Sequence, residues 1–246
     1  MINTCIKSIK NAIRPLYRRF VSINPVRREV AARYLNGNGI EIGALHFPLE
    51  VPRSAHVRYL DRMTVAQLRQ QYPELQDVAL VDVDIVDDGE FLPSMPATSQ
   101  DFVVANHMIE HCQNPIASIE NWLRVLKPGG ILYMAVPDKR YTFDVDRDIT
   151  SLEHLVRDYR EGPAWSRATH FKEAASQENK TLQQIEAYAA ELQQQDYSIH
   201  FHVWTQAEIL ELLIYCRNKL SFPFDIELFQ KNGIEFIVVL RKEAKP

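Results

Sequence analysis

The chain has 246 residues, of which 46% are hydrophobic and 24% charged, with a formal net charge of -4. That length suits one large domain with its own apolar core plus an elaboration, and the acidic balance argues against a dedicated nucleic-acid binder. No run approaches the roughly 18 apolar residues of a membrane-spanning helix.

Residues 1–35 lean toward helix, with Pro15 and Pro25 as breaks, and read as an N-terminal helical extension. Before Glu29 every charged side chain is basic: Lys7, Lys10, Arg14, Arg18, Arg19, Arg27 and Arg28. No continuous apolar stretch lies among them, so the segment does not read as a secretory signal. The basic face is either solvated or attracts an anionic substrate or, weakly, membrane headgroups. Cys5, Cys112 and Cys216 lie too far apart for a CxxC pair, which fits a reducing compartment and a cytoplasmic location.

Residues 36–137 carry short apolar strands separated by helical stretches. Gly39–Ile42 predicts a strand turning at Gly43, and His56–Leu60 a second, stopped by Asp61. A helix is expected over Val65–Tyr72, a weaker third strand over Leu80–Val83 and a fourth over Asp101–Ala105. Ile116, Ile119, Leu123 and Leu126 recur at helical spacing before the breaker pair Pro128-Gly129. Ile131–Val136 is a continuous apolar strand closed by Pro137. This alternation predicts an α/β fold with a parallel sheet covered on both faces. Ligands of such folds bind beyond the carboxyl ends of the strands, here Gly43, Asp61, Asp84–Asp88, Asn106–His111 and Asp138–Arg147.

Residues 138–200 break the rhythm and read as a helical insertion capping that edge. Helices are expected at Leu152–Tyr159 and Leu182–Gln193, with no defined element over Gly162–Gln177. Residues 201–246 complete the sheet through a helix at Gln206–Cys216 and two strands, Phe224–Phe229 and Glu235–Leu240. The Asn232-Gly233 turn joins these strands as an antiparallel hairpin.

Gly43 lets the backbone turn sharply close to a ligand. Asp61 stands where dinucleotide folds place a ribose-binding acid, about 20 residues past the glycine turn. Together with Gly39-Ile-Glu-Ile-Gly43, Tyr59-Leu-Asp61, Asp87-Asp-Gly-Glu-Phe-Leu-Pro93, Gln100-Asp-Phe-Val-Val-Ala-Asn-His-Met-Ile-Glu-His111 and Arg124-Val-Leu-Lys-Pro-Gly-Gly130, the chain resembles the class I S-adenosylmethionine-dependent methyltransferases. Within that superfamily it is most similar to a bacterial group with the Leu-Lys-Pro-Gly-Gly core, UbiE-like and glycan-methyltransferase-like.

The resemblance implies a Rossmann-like seven-stranded sheet in the order 3-2-1-4-5-7-6, with strand 7 antiparallel, and S-adenosylmethionine as cofactor. By position, Glu41, Gly43 and Ala44 would hold the methionine end, and Asp61 with Arg62 the ribose. Asp88 and Gly89 would meet the adenine, while Asn106 and His107 would floor the sulfonium. Ala44, Leu45 and His46 depart from the spaced glycines usual in the first loop. The pyrophosphate fingerprint is also missing, which argues against NAD.

Methyl transfer to an alcohol needs an in-line nucleophile and a nearby base. His107, Glu110 and His111 share roughly one face of a turn-to-helix segment, but the pattern is not His-Glu-x-x-His and lacks a clear third ligand, so no metal is expected. The resemblance makes Glu110 and His111 mainly scaffold. Asp138, Arg140, Tyr141, Asp144 and Arg147 follow the fifth strand as substrate-pocket candidates, joined by His154 and His170 from the cap and by Trp204. An extended His200-Phe201-His202 would put both histidines on one face. His200, His202 and His107 are the candidate bases.

The expected reaction is O-methylation of a sugar or small hydroxylated metabolite. N- or C-methylation of a small metabolite or quinone-like acceptor is the alternative, and a non-catalytic partner-binding module a third. The expected partner is a small molecule or glycan rather than nucleic acid, with a homodimer left open.

Overall fold

The computed structural model describes residues 24–176 and 181–244; Cys5 and the basic residues from Lys7 to Arg19 lie outside the described residues. Pro25 opens a helix rather than breaking one. It is the first residue of α1 (Pro25–Tyr34), where its missing N–H is no loss, and the Asn24 side chain caps the turn by accepting from the Arg27 amide at 3.2 Å.

Seven strands follow: β1 (Gly37–Ile42), β2 (Ala55–Asp61), β3 (Ile85–Val86), β4 (Gln100–Asn106), β5 (Leu126–Pro137), β6 (Phe224–Asn232) and β7 (Glu235–Lys242). They form one sheet in the order β3-β2-β1-β4-β5-β7-β6. The first five pair in parallel, and β7 runs antiparallel to both β5 and β6. This is the topology the resemblance implies, including the closing hairpin at Asn232-Gly233.

The apolar runs serve both faces of the sheet. Leu132, Met134 and Val136 of β5 pack with Trp122 and Leu123 of α3 (Pro115–Val125) and with Leu212 and Leu213 of α7 (Gln206–Lys219). Ile131 and Tyr133 face the other way, onto Val30 and Ala31 of α1. A strand buried on both sides reads as a continuous apolar run because alternate side chains meet two different cores.

Two expectations change. The third strand is not Leu80–Val83 but the two residues Ile85–Val86. Leu80, Val81 and Val83 instead line a narrow cleft with Ala44 and Leu68 of α2 (Val65–Gln71), and the Val81 amide is held by the Leu45 carbonyl at 2.8 Å. The Asp84 side chain takes the Tyr59 amide at 2.8 Å, a position that a strand partner would otherwise occupy.

The second change lies in the cap. Besides α4 (Leu152–Glu161) and α6 (Leu182–Gln194), it contains α5 (Ala164–Ala175), within the stretch expected to lack a defined element. The buried positions of α5 are Ser166, His170, Phe171 and Ala175. Their spacing is helical, but only Phe171 is a large hydrophobe, so the apolar period is hidden. Phe171, Ala175, Ala189, Leu192, Ile199 and Phe201 give the cap a core of its own.

Gly89 shows how tightly the sheet's carboxyl edge is built. A Cβ there would lie 2.7 Å from Ile42 Cγ2 and 3.0 Å from Met108 Cε, and the Gly89 carbonyl accepts from the Trp122 indole at 2.7 Å. Gly89→Ala is therefore expected to cost about 1–3 kcal/mol by overpacking, measured as a lower urea midpoint with unchanged slope.

Candidate active site

The carboxyl ends of β1, β2 and β4 carry the residues expected on the nucleotide side. Gly43 follows β1 at φ +66, and a Cβ added there would meet nothing within 4 Å, so open space faces the turn. Glu41, two residues earlier on β1, is buried rather than open to a ligand. Its buried carboxylate accepts from the Leu49 amide at 3.0 Å, with Asn106 Nδ2 at 3.5 Å. Burial pushes its pKa up to about 7 against those bonds and the Arg27 charge. Glu41 thus ties the 43–49 loop to the strand, where the resemblance has it gripping the cofactor.

Asp61 closes β2 beside Ala44 and Leu68 in the cleft described above. Its carboxylate accepts from the Met63 amide at 3.3 Å, and burial pushes its pKa up to about 6. A ribose diol donates two hydrogen bonds and is best met by the ionised form. Affinity for S-adenosylhomocysteine should therefore fall about tenfold between pH 7 and pH 5 as Asp61 takes up a proton, a trend that calorimetry across that range checks directly and that Asp61→Asn should flatten.

Arg62, expected beside Asp61 at the ribose, points elsewhere. It ion-pairs with Asp196 at 3.1 Å and donates to the Tyr72 hydroxyl at 2.8 Å. With Gln71 donating to the Gln195 carbonyl at 2.9 Å and Tyr72 edge-on to Tyr197, it seats the end of α6 on the core. Asp88, expected at the adenine, accepts from the amides of Glu90 at 2.8 Å and Phe91 at 3.2 Å and so sets the turn after β3. Glu90, unremarked in the sequence, takes the amides of Gln113 and Asn114, and burial pushes its pKa up to about 7. It fixes the β3 loop to the start of α3.

The residues expected on the substrate side centre on the segment 199–201, which returns the chain from the cap. The Phe201 amide donates to the Glu110 carbonyl at 2.8 Å, and His111 Nδ1 meets the Ile199 carbonyl at 2.8 Å, so this segment lies against the turn that leaves β4. His200 Nδ1 stands 2.6 Å from Asp144 Oδ2, and its ring lies against Phe143 and edge-on to His111. Arg147 holds the other Asp144 oxygen at 3.0 Å and the His200 carbonyl at 2.8 Å. Burial would raise the Asp144 pKa, but His200 and Arg147 outweigh it and hold the carboxyl below its usual range. Glu110, His111 and His200 each bring a ligand-capable atom within 4.8 Å of the others, and neither Glu110 carboxylate oxygen has a hydrogen-bond partner. Burial drives the Glu110 pKa up, and that of His111 down to about 3.

The other expected bases separate from His200. His107 Nε2 lies 2.7 Å from Glu235, which also receives a bidentate grip from Arg27 and the Asn232 amide at 2.7 Å. His107 thereby braces β4 against β7. His202, expected on the same face as His200, is wholly buried with Trp204, and it sits with His154, Asp158 and His170 inside the cap. Both histidines keep the chain in place, but their rings serve different cores. Asp138 is buried and spent on Arg140. Arg140 and Tyr141 face outward, where Lys231 donates to the Tyr141 hydroxyl at 3.1 Å. Arg147 does point inward, onto Asp144. Of the substrate candidates the structure gathers Asp144 and Arg147 around His200.

Residues 37–134 match the family described as the methyltransferase domain, the stretch that holds β1 through most of β5. Over that stretch the chain is similar to methyltransferase domains, carried on a Rossmann-like sheet, and the cofactor is S-adenosylmethionine. A Mycolicibacterium smegmatis protein described as a "probable S-adenosylmethionine-dependent methyltransferase" is 34% identical over 88 residues, covering 36% of this chain; the chain spans about a third (31%) of that relative's length. The fold is shared with the complex between the Haloferax volcanii Trm112 methyltransferase activator and a methyltransferase, at TM-score 0.52 and 13% identity, covering 97% of each chain. It is shared too with a Rhodobacter sphaeroides structure named for Zn-dependent alcohol dehydrogenases, at TM-score 0.53 and 12% identity over 93% of this chain and 94% of that one. At such identities the likeness is one of fold alone.

Proposed function

We propose that this chain transfers a methyl group from S-adenosylmethionine to a hydroxyl of a small, sugar-like or otherwise hydroxylated acceptor, with His200 as general base. The observation that carries the reading is the His200–Asp144 pair, 2.6 Å apart beside the exit of β4. An imidazole whose Nδ1–H is engaged by a carboxylate keeps Nε2 as its basic nitrogen. S-adenosylmethionine supplies an electrophilic methyl on a sulfonium. As that methyl passed from sulfur to the acceptor oxygen, the C–S electron pair leaving with S-adenosylhomocysteine, His200 Nε2 would take the hydroxyl proton and Asp144 would stabilise the resulting imidazolium. Arg147 keeps Asp144 ionised and in place.

Gly43 and Asp61 frame the cofactor in this reading, with Asp88 at the adenine turn and Asn106 beneath the sulfonium. Residues 138–200 act as the substrate cap. The preference for oxygen over nitrogen rests on the dyad, since an amine acceptor arrives with its own lone pair once deprotonated and leans less on a fixed base. A cytoplasmic setting fits the two buried free thiols Cys112 and Cys216, and among the described residues no helix is long and apolar enough to cross a membrane.

The test is transfer of labelled methyl from S-adenosylmethionine to a panel of free sugars, nucleotide sugars, amines and quinols. Labelled methyl ethers on hydroxylated acceptors support the proposal. Labelling confined to amines or to carbon would move the assignment to the alternative chemistry. A folded protein that binds the cofactor yet labels none of these acceptors would favour a partner-binding role.

A further inference from the structure

The cap holds a second chemical centre with no part in the proposed transfer. His154 and Asp158 stand one turn apart on α4, His170 comes from α5, and His202 from the segment returning to the sheet. Each offers a ligand-capable atom within 4.8 Å of the others. Asp158 and His202 are fully buried, and His170 nearly so.

The distances are those of a coordination shell. His154 Nε2 is 3.1 Å from His170 Nε2 and 3.2 Å from Asp158 Oδ2, and His202 Nε2 is 3.7 Å from the same oxygen. Ligands about 2.0–2.1 Å from a tetrahedral zinc stand about 3.3 Å apart. Protons alone satisfy the group poorly. His154 Nε2 faces both another imidazole nitrogen and a carboxylate, and a single proton on it serves only one of them. Asp158 Oδ1 receives the Ser166 hydroxyl at 3.0 Å, but Oδ2 has no hydrogen-bond partner, nor does His202 Nδ1. A buried carboxylate oxygen that has imidazole nitrogens beside it but no well-formed hydrogen bond is costly, and a divalent cation removes that cost.

The surroundings suit such a cation. His170 Nδ1 lies 3.4 Å from Glu173, a carboxylate that Arg147 also holds at 3.0 Å. A carboxylate on one ring nitrogen turns the other toward a metal. The competing partner in the shell is the Gln113 carbonyl, 3.3 Å from His202 Nε2. Trp165 covers His154, with Arg157 stacked over it.

We propose that His154, Asp158, His170 and His202 form a buried, four-coordinate site for a divalent transition metal, zinc by its imidazole-rich donor set. The site is closed, so its role is to pin α4, α5 and the 200–204 segment together, and through Arg147 and Glu173 it stands behind the Asp144–His200 pair. The spacing His-x-x-x-Asp on α4 is the one trace of it in the sequence.

The test uses the full chain. Metal content of the purified protein should be near one zinc per chain. After chelation, titration with Co²⁺ should saturate at one equivalent, with the intense visible bands of tetrahedral cobalt. Asp158→Asn and His170→Ala should weaken Co²⁺ uptake at least 100-fold, whereas His111→Ala should leave it unchanged. X-ray absorption of the wild-type cobalt form decides the matter if those variants do not fold: three imidazoles and one oxygen support the site. Folded wild-type protein that takes up neither metal, a shell with fewer than three imidazoles, or binding that survives in Asp158→Asn and His170→Ala would overturn it. Loss of binding in His111→Ala would assign the metal to the Glu110–His111–His200 group instead.

Discussion

Replacing His200 with alanine should lower methyl-transfer turnover about 100- to 10,000-fold, the usual contribution of a positioned general base, while S-adenosylhomocysteine binds within about threefold of wild type. The two readouts part because His200 answers to Asp144 and Arg147 in the cap, whereas Gly43 and Asp61 lie at the ends of β1 and β2. Asp144→Asn should lose a comparable share of turnover. An amide opposite Nδ1 no longer enforces the tautomer that leaves Nε2 basic, and it removes the charge that stabilises imidazolium. If His200→Ala weakened cofactor affinity as much as turnover, the residue would be holding the cap rather than taking a proton.

Arg27→Ala should cost about 3–5 kcal/mol of folding stability, the loss typical when one partner of a buried ion pair is removed. Glu235 sits at the start of β7 with a fully buried side chain. It takes Arg27 Nε at 2.8 Å and His107 Nε2 at 2.7 Å, besides the Asn232 amide. Burial alone would raise its pKa, but Arg27 and His107 outweigh that and hold it at about 2. Its folded pKa is below the unfolded one, so its contribution is fully present above about pH 4.5 and is lost as pH falls from there through about 2. The depression corresponds to roughly 3 kcal/mol, of the same order as the loss expected for Arg27→Ala.

Glu41, Glu90 and Asp61 work in the opposite sense. Their folded pKa values, about 7, 7 and 6, lie above the unfolded ones, so they favour the fold most below about pH 4 and less as pH rises toward 7. Urea midpoints measured from pH 7 down to 3 should therefore rise at first and then turn down in wild type. The downturn should shrink in Arg27→Ala. Arg27→Met with Glu235→Leu should recover only part of the lost stability, since the apolar pair leaves no carboxylate stranded but deprives His107 and Asn232 of their partner.

The core from β1 to β5 was legible because each element is punctuated where it ends. Gly43, Asp61 and Pro137 stop strands, and Asn114 caps the helix whose apolar positions repeat at 3.6 residues. Asn232-Gly233 announced the closing hairpin, and the resemblance supplied the strand order. The third strand misled because Leu80, Val81 and Val83 are apolar for the sake of a cleft, not a ladder. Helix α5 stayed hidden because Ser166 and His170 occupy its inner face. Side-chain destinations were harder still. Nothing local shows that Arg27 meets Glu235, since 208 positions separate them, or that Arg62 reaches across to Asp196. His200 and His202 illustrate the same limit. Alternation of a strand assigns them one face, yet this segment lies between a cap and a sheet, and each ring follows the carboxylate it can reach: Asp144 for one, Asp158 for the other.

Calorimetric titration of the chain with S-adenosylhomocysteine, beside Asp61→Ala, tests the central claim most directly. One site per chain, weakened at least tenfold by the substitution, is the predicted result. A folded wild-type protein that takes up no S-adenosylhomocysteine, or an affinity indifferent to Asp61, would contradict a cofactor site at the ends of β1 and β2.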